Sequence, residues 1–173
     1  MKKVFGLLLI TLIFIGCSSD DDNGDNGVAL QGDWKLTSFT SQNAYDLTGN
    51  GIISNDMMGQ TNCYQNERIT FNANGTGADI STSYLIIDLE LSAGSITEYE
   101  YSFDCVNENN TTAFNWTQNG NNVAISMDGY SFSGVQNGTK INFTIPNGFE
   151  IPILQDGTVV WTTETLTMEY TKQ

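Results

Sequence analysis

Six dipeptides punctuate this chain: Asn74-Gly75, Asn119-Gly120, Asp128-Gly129, Asn137-Gly138, Asn147-Gly148 and Asp156-Gly157, the last five recurring every nine or ten residues. Each supplies residues that accept the positive φ of a two-residue hairpin turn. That spacing leaves room for one short strand between turns and none for the crossovers that parallel strands need, so it predicts an antiparallel meander. No stretch from Val28 onward holds helical periodicity over three turns. Alternation sets Tyr99, Tyr101 and Phe103 on one side of a strand and Glu98, Glu100 and Ser102 on the other, with the aromatic side buried. The same period turns Ile69 and Phe71 inward, then Val123, Ile125 and Met127, then Ile141, Phe143 and Ile145, then Leu166, Met168 and Tyr170. Strands are predicted near 32–40, 67–73, 78–91, 96–105, 111–118, 121–127, 130–135, 139–145, 149–155 and 158–171. An all-β antiparallel meander of about eight to ten strands removes its exposed edges by closing into a barrel.

With 173 residues the chain has room for one domain of ordinary size. Six Lys and Arg against 20 Asp and Glu, a net charge of −14, exclude nucleic acid as a partner, since a binder needs a cationic face to displace counterions. The chain has no His, so the commonest general base and the usual catalytic zinc ligand are both missing. The reading is a binding or interaction module, not an enzyme, with no catalytic residues assigned.

Lys2 and Lys3 precede an apolar run from Val4 to Ile15, too short to span a bilayer and typical of a secretion signal. Its end, Phe14-Ile15-Gly16-Cys17, resembles the lipobox of bacterial lipoproteins, with Phe14 where Leu is usual. The resemblance implies a signal peptide over 1–16, cleavage before Cys17, and attachment of palmitate-type acyl chains there, enough for stable membrane anchoring. Residues 17–27 then form the lipidated Cys and an acidic tether, and the domain occupies 28–173. Ser19-Asp20-Asp21-Asp22 is similar to the acidic export signal that sends lipoproteins of the Bacteroidetes group to the cell surface. The expected location is the cell-surface face of the outer membrane, with the periplasmic face as the alternative.

Leu30-Gln31-Gly32-Asp33-Trp34 resembles the Gly-x-Trp opening of lipocalins, in which the Trp closes the barrel floor. Asp46-Leu47-Thr48-Gly49-Asn50-Gly51, Asn62-Cys63, Ile69 to Thr76 and Thr165 to Tyr170 are similar to segments of lipocalin-like lipoproteins of Bacteroidetes, a likeness spread over about 30–170. It implies a calycin-type barrel with Gly32 and Trp34 at the floor. Lipocalins place an Arg of the last strand over this Trp, where the present chain has only Lys172. Arg68 either takes that place or is a surface residue.

Cys63 and Cys105 remain once Cys17 is set aside, an even pair in an exported chain, and predict a disulfide. Asp46, Thr48, Asn50, the Ile52 carbonyl and Asp56 stand at the spacing of an EF-hand-like calcium loop with Gly51 at its sixth position. Met57 occupies the place of the bidentate carboxylate, so the segment is either a weak calcium site or an Asx-turn loop. Tyr99, Tyr101, Phe103 and Trp116 are the candidate ligand-binding residues. The expected function is a monomeric, lipid-anchored binding protein that carries a small hydrophobic or amphiphilic ligand in its barrel. The alternative is a protein- or glycan-facing surface module whose barrel is filled.

Overall fold

The computed structural model describes residues 28–173; the predicted signal peptide over 1–16, Cys17 and the predicted tether lie outside them. In chain order come β1 (Gly32–Tyr45), β2 (Ser54–Asp56), α1 (Met57–Thr61), β3 (Arg68–Phe71), β4 (Thr76–Leu91), β5 (Tyr99–Asn119), β6 (Asn122–Met127), β7 (Tyr130–Asn137), β8 (Lys140–Gln155) and β9 (Thr158–Lys172). From β3 to β9 each strand pairs antiparallel with the next, and β1 pairs with both β3 and β9. Eight strands therefore close into an antiparallel, lipocalin-like barrel, and β2 adds a short strand beside the upper end of β1. Alternate strands run up and down, so one end, the floor, carries the start of β1, the 72–75, 120–121 and 138–139 turns and the C-terminus. The mouth carries the loops at 46–53, 92–98, 128–129 and 156–157.

The turn chemistry explains most of this order. Asp128-Gly129 and Asp156-Gly157 both have positive φ at the two loop positions between directly paired residues, the requirement of a type I′ hairpin. Asn147-Gly148 does something else. It lies within β8, where the pairing with β9 shifts register between Ile145 and Phe149, and Asn147 takes a φ of 53°. The dipeptide makes a bulge instead of a turn, so the predicted strands 139–145 and 149–155 are one strand. Likewise the predicted 96–105 and 111–118 are both β5. Its pairing with β4 slips by one residue at Glu108-Asn109, which switches the inward positions from odd (Tyr101, Phe103) to even (Phe114, Trp116).

Two glycines inside strands are set by packing. A Cβ on Gly77 would lie 2.2 Å from the Phe114 ring, and one on Gly134 2.5 Å from the Phe143 ring, so each glycine lets an aromatic lie flat across its strand.

The floor is built on Trp34, which is fully buried and donates its indole N–H to the Leu30 carbonyl at 2.7 Å. Lys172 answers the question of the cation: its Nζ sits 5.2 Å from the centre of the Trp34 ring and donates to the carbonyls of Ala29 and Gln31, the latter at 2.6 Å. Arg68 is exposed on β3, because it stands between the inward Glu67 and Ile69. Gln136 donates to the Val28 carbonyl at 2.6 Å, so four successive carbonyls, 28 to 31, each accept a side-chain hydrogen bond beneath the barrel.

At the mouth end β4–β5 and β8–β9 continue as long hairpins beyond the shorter β3, β6 and β7. Leu85 and Ile87 on β4 and Ile151 on β8 are buried there. That burial needs a partner across the ring, and β4 and β8, which stand on opposite sides of the eight-stranded circle, are in contact.

Candidate functional site

Between floor and mouth the barrel encloses a cavity of about 200 Å³ to which all eight barrel strands contribute. Leu36 and Phe39 come from β1, Ile69 from β3, Phe114 from β5, and Ile125 and Met127 from β6. Phe132, Phe143 and Met168 complete the apolar wall from β7, β8 and β9. The volume exceeds the roughly 150 Å³ that holds a benzene molecule in an engineered protein cavity and falls short of the roughly 300 Å³ at which drug-sized pockets begin. By proportion it takes about eight non-hydrogen atoms.

The polar part of the wall is acidic. Glu67, just before the mouth-ward end of β3, is buried and its carboxylate accepts four hydrogen bonds, from the backbone N–H groups of Thr82 and Ser83 at 2.8 and 3.0 Å and from their hydroxyls at 2.9 and 3.0 Å. The Ser81 hydroxyl donates to Glu108 at the β5 bulge. The Asp79 carboxylate accepts no hydrogen bond among the described residues, and burial, followed by the nearby charges of Glu67 and Glu108, pushes its pKa up from 3.8 to about 6. Burial, then the charges of Asp79 and Glu67, also raises the Tyr170 phenol, which stays neutral. Among the described residues no Lys or Arg lines the cavity.

Tyr64 closes one flank of the site in a left-handed conformation, φ 64°, that a bulky side chain adopts only when its surroundings impose it. Here they do: its N–H donates to the Ser83 hydroxyl at 2.9 Å, its phenol oxygen accepts from the Leu85 N–H at 3.1 Å, and its ring packs 4.6 Å from that of Phe39. Burial pushes the Tyr64 phenol up to about 12. The preceding residue is joined to β5 by the predicted disulfide, Cys63–Cys105, which spans 42 residues and ties the α1–β3 connection to the wall. By chain entropy such a loop closure stabilises the fold by about 4 kcal/mol.

The candidate ligand residues lie elsewhere. Tyr99, Tyr101 and Phe103 stand on the β4–β5 hairpin, half-buried and outside the cavity lining, because the bulge at Glu108-Asn109 separates them from the part of β5 that faces it. Trp116 is near the floor, packed edge-on against Phe71 with its indole N–H donated to the Thr76 carbonyl. In the 46–56 loop the Asp46 carboxylate accepts from the N–H groups of Asn50 and Gly51 at 3.2 and 2.7 Å and from the Thr48 hydroxyl. Asn50 accepts from the Ile52 N–H, and Asp56 caps α1 by accepting from Gly59. These bonds make an Asx-type turn. Among the described residues no group of three or more His, Cys, Asp or Glu side chains is placed to hold a metal ion.

The acidic wall was readable in one respect. Asp79, Ser81 and Ser83 share the inward parity of Leu85 and Ile87, and Glu67 that of Ile69 and Phe71, so polar side chains at inward positions were the signal. No family model, no curated protein and no solved structure matches the chain.

Proposed function

We propose that this chain is a lipid-anchored, lipocalin-like binding protein that carries a small hydrophobic or amphiphilic molecule inside its barrel, and that it is not an enzyme. The cavity carries this reading: eight strands surround a mainly apolar space large enough for an organic molecule and walled by Phe, Leu, Ile and Met. A fatty acid is too long for it. Titration of the protein with benzyl alcohol, followed by NMR, gives saturable shifts at residues such as Met127, Phe132 and Met168. Ile125→Trp, which fills the space, abolishes them. Absence of saturable binding to the wild type refutes the reading.

The address is part of the same proposal, supported by Gly16-Cys17 and the acidic run after it. Metabolic labelling with palmitate marks the wild type and not Cys17→Ser, and protease added to whole cells removes the domain. Labelling of the Ser variant rejects lipidation at this residue.

One observation favours the second reading, a surface module for a protein or glycan. Large apolar side chains are exposed at every mouth loop or beside it: Ile52 and Ile53, Ile96, Tyr130, and Leu154 with Trp161.

A further inference from the structure

We infer that the ligand of the barrel is a small organic cation, an amine on an apolar body of about six to eight carbons, whose ammonium group pairs with Asp79. The inference rests on the barrel-ligand reading and names the chemistry of the same site.

It starts from an accounting of donors. Both oxygens of Glu67 are occupied by Thr82 and Ser83, and the Ser81 hydroxyl is committed to Glu108. The Asp79 carboxylate faces the cavity with no donor from the described residues. A carboxylate at an apolar wall with no partner is costly to keep charged, so the geometry leaves a position that an outside donor fills. The surroundings select its sign. Glu67 and Glu108 add negative potential at Asp79, no cationic side chain among the described residues lines the cavity, and the four Lys and Arg of residues 28–173 are placed elsewhere. Lys172 is under the floor, Lys140 pairs with Glu169 on the surface, and Lys35 and Arg68 alternate with inward residues of β1 and β3. A carboxylate ligand such as a fatty acid is repelled.

The rest of the cavity selects the body. A metal ion needs several oxygen ligands, and here the remaining wall is Leu, Ile, Phe and Met. Those side chains contact a hydrocarbon group, and the aromatic rings of Tyr64 and Tyr170 stand in the same wall as Asp79, where a cation gains from ring faces. The volume admits one ring or a short branched chain with its amine and excludes anything of lipid size.

The test uses the full-length chain and four probes: benzylamine, benzyl alcohol, benzoate and methylamine. Calorimetric titration at pH 7.5 shows benzylamine binding one-to-one and about ten- to a hundredfold more tightly than benzyl alcohol, the range of one charge-assisted hydrogen bond. Benzoate and methylamine give no saturable heat. The preference for the amine falls about tenfold at pH 5, where most Asp79 is protonated, and is lost in Asp79→Asn, which still binds benzyl alcohol. Equal affinity for amine and alcohol overturns the cation inference and leaves the barrel-ligand reading in place. Failure of every probe overturns both. An amine preference that is unchanged at pH 5, or that survives in Asp79→Asn, removes Asp79 from the site.

Discussion

Asp79→Asn exchanges an inward carboxylate for a neutral side chain of the same shape, and its effect on stability follows from the position of Asp79 in the barrel. Folding raises the pKa of this group from 3.8 to about 6. The folded state thus holds the proton more tightly than the unfolded one, so the wild type loses stability as pH rises through that interval. Two units at 1.36 kcal/mol each give about 3 kcal/mol at neutral pH. Below about pH 4 both states carry the proton and the variant and wild type differ little. Asp79→Asn is therefore expected to be about 2–3 kcal/mol more stable than wild type at pH 7.5, a rise in Tm of roughly 4–10 °C for a domain of this size. Urea unfolding followed by Trp fluorescence at pH 4, 5, 6 and 7.5 measures the difference directly, since titrating groups remote from Asp79 are common to both proteins and cancel. Saturating benzylamine narrows the gap by stabilising only the wild type appreciably. A difference that does not change with pH, or a variant less stable than wild type at pH 7.5, refutes the argument that Asp79 is charged, inward and unpartnered.

Replacing Cys63 and Cys105 together by Ala lowers stability by about 2–5 kcal/mol in urea titrations while far-ultraviolet dichroism retains the strand signal. Gly134→Val forces the Phe143 ring from its seat and costs about 2–4 kcal/mol by the same assay, whereas substitution at the open turn residue Gly157 by Asn, which tolerates its φ of 77°, changes stability by less than about 1 kcal/mol. Asp46→Ala removes the acceptor that organises the 46–51 turn and destabilises the protein by about 1–2 kcal/mol with or without millimolar calcium. A melting temperature that rises with calcium in wild type and not in Asp46→Ala would support the metal-loop reading. Lys172→Met costs about 1 kcal/mol through the lost contacts with Trp34 and the 29–31 carbonyls, and Lys172→Arg recovers most of it.

The closed antiparallel barrel was legible because turn chemistry is local: Asp128-Gly129 and Asp156-Gly157 can hardly serve another conformation so well. Asn147-Gly148 misled for the same reason, since positive φ suits a bulge as well as a turn and only the pairing with β9 distinguishes them. Trp34 and the disulfide were legible from residue type and parity. The cavity wall was not. Which part of β5 faces it depends on a one-residue slip against β4, a property of two strands together, so Tyr101 and Phe103 looked as good as Phe114. Lys172 in place of the Arg expected by resemblance was visible as a residue, while its position over Trp34 required closure of β9 onto β1.

The strap of carbonyls beneath the floor has a mechanical consequence. If the chain is anchored through Cys17 as proposed, any tension between membrane and domain arrives at residue 28, at the end opposite the mouth. It acts first on the contacts of 28–31 with Gln136, Trp34 and Lys172 and then along the axis of β1. That strand is held on both flanks, by β3 and by β9, through hydrogen bonds that lie across the direction of pull. They are loaded together in shear, so the barrel resists extraction as a unit instead of unzipping bond by bond.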